Sequence, residues 1–237
     1  MSSSAPQHAV PSHGRRRDAH EKLEALLGSS GDKDAKWGWV VFRTGYRHML
    51  LDSSWKTLET LTPEGLRGEA EGSYAPGVAQ RLEWVTFFDE SLIDAPAEEL
   101  ERRFRAWVRS RRPRDDGGVP GSSVPLYRYY LHSDADSLDS ISAQAQNQAT
   151  PDWIWLVRAW AENGEDRMRI PVGEIGPALY AKLASDEAWT ALYHSGKYDE
   201  QLTDLNLDGY GIDPDGSYIW PNKWVDGKIV PPEEQKP

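Results

Sequence analysis

The run Trp37-Gly38-Trp39-Val40-Val41-Phe42-Arg43-Thr44-Gly45-Tyr46 limits the fold of this chain more than any other stretch. Every residue in it except Arg43 is aromatic, β-branched or glycine, and its apolar positions lack the spacing of an amphipathic helix. It reads as a strand. Side chains alternate along a strand, so Trp37, Trp39, Val41 and Arg43 fall on one face and Gly38, Val40, Phe42 and Thr44 on the other. Both faces read as covered, which leaves the Arg43 end to meet solvent or a ligand.

Three further stretches alternate in the same way. Leu82–Asp89 sets Leu82, Trp84, Thr86 and Phe88 against Glu83, Val85, Phe87 and Asp89, and Leu126–His132 sets Leu126, Arg128, Tyr130 and His132 against Tyr127, Tyr129 and Leu131. Trp153–Trp160 echoes the first strand, with Trp153, Trp155 and Val157 spaced like Trp37, Trp39 and Val41. Arg167–Val172 reads as a short edge strand and Tyr218–Trp220 as the last strand.

The clearest helix runs from an Asp94 cap through Pro96 to Arg112, where Pro113 stops it, with Leu100, Phe104, Trp107 and Val108 as its buried stripe. Its acids come first and its arginines last, as the helix dipole favours, and Arg102, Arg105, Arg109 and Arg112 read as a solvated face. A helix capped by Asp52, Ser53 and Ser54 passes through Trp55, Leu58 and Leu61 and is interrupted by Pro63 and Gly65. Another begins at Pro177 with Leu179, Tyr180 and Leu183 inward.

This order of elements predicts an α+β fold: a mostly antiparallel, four- to five-stranded sheet with helices on one side, in a ferredoxin-like arrangement. A doubly wound parallel sheet is the weaker expectation, because no glycine-rich phosphate turn follows any strand. Residues 1–35 read as a disordered tail with a marginal helix at His20–Leu27, 36–224 as one domain, and 225–237 as a C-terminal tail. Within the domain, 113–124 reads as a flexible loop and 199–217 as an acidic loop rich in Gly, Asp and Pro.

Composition narrows the function classes. The chain has no cysteine, which removes disulfides, thiol nucleophiles and thiolate metal sites. Its formal charge of −11 repels a polyanion, so nucleic acid is not an expected partner. No apolar run has the length of a membrane span and the first residues lack a secretory apolar core, so no membrane partner and a cytoplasmic location are expected. Eleven Trp and ten Tyr against four Phe favour rings with a polar edge, suited to half-buried surfaces as well as cores.

The Trp37–Tyr46 run, Leu82-Glu83-Trp84 leading to Asp89, the Tyr127–Tyr130 strand and the helix opened by Gly176-Pro177 together resemble a group of uncharacterised proteins of filamentous ascomycete fungi. The resemblance spans about residues 37–195. It implies an intracellular α/β protein and carries no activity, cofactor or catalytic residue onto this chain.

Two groups of residues are candidate sites. Asp204, Asn206, Asp208, Tyr210 and Asp215 stand at positions 1, 3, 5, 7 and 12 of a calcium-type loop with Gly209 at position 6, a spacing that wraps oxygens round a hard cation. Gly211 at position 8, the short Asp215 and the prolines that follow depart from that pattern, and two ordinary turns in an acidic loop are the competing account. No other cofactor is expected. The second group is Trp39, Arg43, Arg128, Tyr130 and His132, which would share one surface if the strands pair side by side. His48, Asp89 and Asp134 adjoin it, and His132 with Asp134 or Asp89 has the makings of an acid–base pair. Structural ion pairs and a scaffold histidine would explain the same residues.

No hydrolase elbow, P-loop, HExxH or kinase signature occurs. The expectation is a non-enzymatic binding or interaction protein that engages a protein or small molecule with an aromatic and arginine sheet face, with a homodimer left open. The alternative is a small-molecule enzyme with an Arg/His/carboxylate pocket at the strand ends.

Overall fold

Strand β1, Trp37–Arg43, is buried at all seven positions and lies inside the main sheet, as its two apolar faces require. The structure is a computed structural model that describes residues 13–29, 35–46, 49–71, 75–111, 124–145, 152–160 and 166–197. It also describes short strands at 211–212, 218–219, 223–225 and 228–230. In chain order, α1 is His13–Ser29, followed by β1, α2 (Met49–Lys56), α3 (Thr62–Glu71), α4 (Pro76–Gln80) and β2 (Leu82–Phe87). Then come α5 (Ala97–Arg111), β3 (Tyr129–Ser133), α6 (Ala135–Ala145), β4 (Trp153–Arg158), β5 (Arg167–Pro171), α7 (Pro177–Lys182) and α8 (Asp186–Lys197).

The five strands stand in the order β2-β1-β3-β4-β5. β1 runs parallel to both β2 and β3, whereas β3–β4 and β4–β5 are antiparallel. The α+β class holds, but the sheet is mixed, where a mostly antiparallel one was expected. Parallel pairing needs a crossover long enough to return the chain to its starting end. The helical segments α2–α4 and α5 supply those two crossovers, and the ferredoxin-like antiparallel order does not arise.

Helices also occupy both faces of the sheet, not one. Tyr180 of α7 meets Trp37 and Trp39 edge-on at 5.8 and 5.7 Å, on one face of β1. Phe104 of α5 lies 5.2 Å from Tyr130, which in turn meets Phe42 at 5.2 Å, and Phe42 points to the other face. Burying each such ring contributes about 1.5–3 kcal/mol. The parallel approach of β2 to β1 depends on Gly38, whose φ is 135° and whose missing Cβ would lie 2.0 Å from the carbonyl oxygen of Glu83.

Local chemistry moved several boundaries. β3 begins at Tyr129 and not at Leu126, because Pro125 opens a 3-10 turn over Pro125–Tyr127 in which Arg128 N–H donates to Pro125 at 2.9 Å. α5 starts at Ala97, three residues after Asp94, which sits at φ 51° and whose N–H donates to Thr44 at 3.3 Å, tying the loop after β2 to the end of β1. The interruption expected at Pro63 is a π-turn over Thr57–Leu61, in which Thr62 N–H reaches back five residues to Thr57. The wider turn relieves the clash a proline ring makes with the preceding helical turn.

Residues 13–29 form α1, with Leu23 and Leu27 buried, so the expected tail includes a packed helix. On α5, Arg102 and Arg103 pair with Glu99, and Arg105 with Glu101, so two of the four expected basic-face arginines, Arg102 and Arg105, make helix-internal bridges. Most of the expected 113–124 loop lies outside the described residues. The chain divides into two compact units, residues 1–202 and 203–237. The second unit contains the antiparallel pairs β6 (Gly211–Ile212) with β7 (Tyr218–Ile219) and β8 (Lys223–Val225) with β9 (Lys228–Val230), so Tyr218–Ile219 is not the last strand. Among the described residues no helix is long and apolar enough to cross a membrane.

Candidate functional site

β4 and β5 are built from interleaved sequences that sort their residues by chemistry. Ile154 and Leu156 of β4 and Met168 and Ile170 of β5 alternate onto one face and are all buried. Trp153, Trp155 and Val157 alternate onto the other, opposite Pro171, Arg169 and Arg167 respectively. Cross-strand neighbours on one face lie about 5 Å apart, close enough for each arginine to cover a ring. The guanidinium carbon of Arg169 stands 4.3 Å from the Trp153 ring centre and 5.1 Å from that of Trp155. The Arg167 carbon is 4.2 Å from Trp155, and the two indoles meet edge-on at 5.1 Å.

A guanidinium seated over a ring face is attracted by the ring's π electrons and can still direct N–H donors at a carboxylate or phosphate. Each stacking contributes about 0.5–2 kcal/mol, depending on exposure. Arg169 is exposed and forms no ion pair among the described residues. The two ring contacts restrict the Arg169 side chain to part of its rotamer range.

The inner margin of this face is tied down by Asp134. One of its oxygens accepts the Ser137 amide at 2.9 Å and caps α6, and the other accepts the Trp155 indole N–H at 2.7 Å. His132 lies opposite Trp155 in β3 and stands 2.9 Å from the Thr44 hydroxyl through Nε2. Burial pushes His132 down to about 4, Asp134 opposes that shift and the positive charge of Arg167 adds to it. The imidazole is therefore neutral near pH 7.

Open sheets with parallel strands commonly bind ligands where neighbouring connections diverge, which here is the crevice between the ends of β1 and β3. That crevice is filled. Thr44 and Gly45 N–H both donate to Ser133, at 2.9 and 3.4 Å, and a Cβ on Gly45 would lie 2.6 Å from the Ala135 nitrogen. The chain leaving β1 rests directly on the start of α6.

The residues expected to share a pocket are dispersed. Trp39 is buried on the opposite face of the sheet from His132, against Tyr180. Arg43 is buried on that face too, its guanidinium 4.5 Å from the Tyr46 ring and 5.4 Å from Trp55, with Nε donating to Gly45 at 3.0 Å. Arg43 pairs with Ser133 at one end of β3, whereas Arg128 precedes the other end and covers the Tyr129 ring at 5.4 Å. Parallel pairing of β1 and β3 separates the two arginines by the length of β3, and this corrects the expected meeting. Tyr130, buried beneath α5, stands opposite Val157, and His132 stands opposite Trp155, so these two of the five adjoin the β4–β5 face. Asp89 is taken up by Ser91 and by Arg103 at 2.9 Å.

The calcium-type residues Asp204, Asn206, Asp208, Tyr210 and Asp215 lie outside the described residues, as does His48. Among the described residues no group of three or more His, Asp or Glu side chains could hold a metal ion. The members of the observed face were present in the sequence as two Trp and two Arg, each two residues apart. Setting the alternation of Trp153–Arg158 against that of Arg167–Pro171 would have placed all four together. Comparisons with protein-family models, with curated proteins and with solved structures found no match, so the functional reading rests on the residues themselves.

Proposed function

We propose that this protein is a non-enzymatic binding module that holds an anionic partner on the β4–β5 face formed by Trp153, Trp155, Arg167 and Arg169. The observation that carries the reading is Arg169: exposed, held over two indoles, and without an ion pair among the described residues of a chain whose net charge is −11. In so acidic a chain, an arginine kept away from carboxylates is placed for an anion from outside. A reducing, cytoplasmic setting suits a chain without cysteine.

The enzyme reading draws on one contact, the neutral His132 beside the Thr44 hydroxyl, which is a general-base arrangement. Both Asp134 oxygens are already engaged and Gly45 closes the crevice beside it, so the binding reading is the stronger. Two-dimensional NMR of labelled protein, titrated with pentaglutamate and with inorganic pyrophosphate, tests it. The Trp153 and Trp155 indole signals should shift in the native protein and stay still in Arg169→Glu. Indole signals unmoved by either anion at millimolar concentration would remove the proposed face.

A further inference from the structure

We infer that the partner is an extended acidic peptide, which adds to β5 as a sixth strand and sets carboxylates two residues apart against Arg169 and Arg167. The inference rests on the anion-binding reading above and specifies its occupant. β5 is the last strand in the sheet order. The backbone register shows which of its groups face away from β4. Arg158 N–H donates to Asp166 at 2.9 Å, and these residues stand directly opposite each other when the β4–β5 register is extended by one step. In an antiparallel ladder such bonded pairs alternate with unbonded ones, so Met168 and Ile170 turn their backbone groups toward β4. Arg167, Arg169 and Pro171 turn theirs outward.

Pro171 agrees with this phase. Lacking an N–H, it is tolerated at an outward position because no β4–β5 bond is lost there. It also ends the outward row of donors, leaving the row to Arg167 and Arg169.

The residues whose backbone faces outward are thus the ones whose side chains stack on Trp153 and Trp155. A strand laid antiparallel on this edge forms its closely bonded pairs with Arg169 and Arg167. Its directly opposite side chains, at alternating positions of the peptide, fall on the same face as the two guanidiniums. Asp or Glu there gains an ion pair and a backbone pair at one position, while a basic strand meets two positive charges. Charged side chains often serve only to discourage edge pairing. Here their sign selects an acidic strand, and the indoles hold them ready for it. A nucleic acid would share the stacking and the charge but cannot use the strand register.

Fluorescence anisotropy on the full chain tests this, with a fluorescein-labelled heptapeptide of alternating threonine and glutamate as the probe. N-methylation of the glutamate amides removes the donors facing Arg169 and Arg167 and should weaken binding by about tenfold, since two net hydrogen bonds are lost. N-methylation of the threonine amides, which face away from β5, should leave affinity within about threefold. Arg169→Glu should lose about tenfold for the glutamate peptide and gain binding to the matching lysine peptide, which also shows that the variant is folded. Equal weakening by both methylations, or by neither, would overturn the strand register; if Arg169→Glu still abolished binding in that case, the anion-binding face would stand. Binding of oligothymidylate more tightly than the glutamate peptide would overturn the peptide in favour of nucleic acid. No binding of any anionic probe would sink both the inference and the reading beneath it.

Discussion

The indole N–H of Trp155 donates to Asp134 at 2.7 Å, so the residue that caps α6 also holds the inner ring of the β4–β5 face. The start of α6 and the β4–β5 face are coupled through one carboxylate. Arg167 and Arg169 both lie over the ring so fixed.

Asp134→Ala should therefore cost about 1–2 kcal/mol for the lost cap and a further ~1 kcal/mol for the unpaired indole. Urea denaturation measures the loss. Trp155→Phe in the Asp134→Ala background should add less than Trp155→Phe alone, and full additivity would show that the two residues do not act together.

His132 gives a pH signature. Its folded-state value of about 4 lies below the ordinary 6.5, so the unfolded chain binds the proton more readily. Its contribution is full above pH 6.5, declines as pH falls toward 4, and is spent below that, a span of roughly 3 kcal/mol at most. Subtracting the stability curve of His132→Gln from that of the native protein isolates this from the carboxylates. A flat difference between pH 7 and 4 would contradict the buried, neutral ring.

Two glycines should respond in opposite directions. Gly38→Ala places a methyl 2.0 Å from the Glu83 oxygen at φ 135°, and should cost more than about 4 kcal/mol or prevent folding. Gly68→Ala, inside α3 with nothing within 4 Å of the added methyl, should raise stability by about 0.5–1 kcal/mol. Thermal melts of the two variants give the comparison.

Arg43 and Arg169 separate structure from binding. Arg43→Leu removes a buried guanidinium from between Tyr46 and Trp55 and should destabilise by about 2 kcal/mol while leaving anion binding unchanged. Arg169→Gln, on the exposed face, should shift stability by under ~1 kcal/mol and weaken pentaglutamate binding. Paired melts and titrations read both, and loss of binding in a folded Arg43→Leu protein would return Arg43 to the ligand.

What the amino-acid order determined by itself is the set of local elements. The aromatic and β-branched run at Trp37 is a strand, the Leu100, Phe104 and Val108 spacing is a helix, and the alternation at Trp153 and Trp155 sorts those residues by face. These follow from periodicity, which acts between near neighbours in the chain. Tertiary structure alone decided that β1 runs parallel to β3, since strand direction depends on the path of a crossover and leaves no mark in either strand. That choice sent Arg43 and Arg128 to opposite ends of β3, and the antiparallel pairing of β4 with β5 brought Arg167 and Arg169 over Trp153 and Trp155. The chemistry of the candidate face was therefore legible residue by residue, while its assembly depended on pairing between distant segments, where many registers satisfy the same local pattern and only packing selects one.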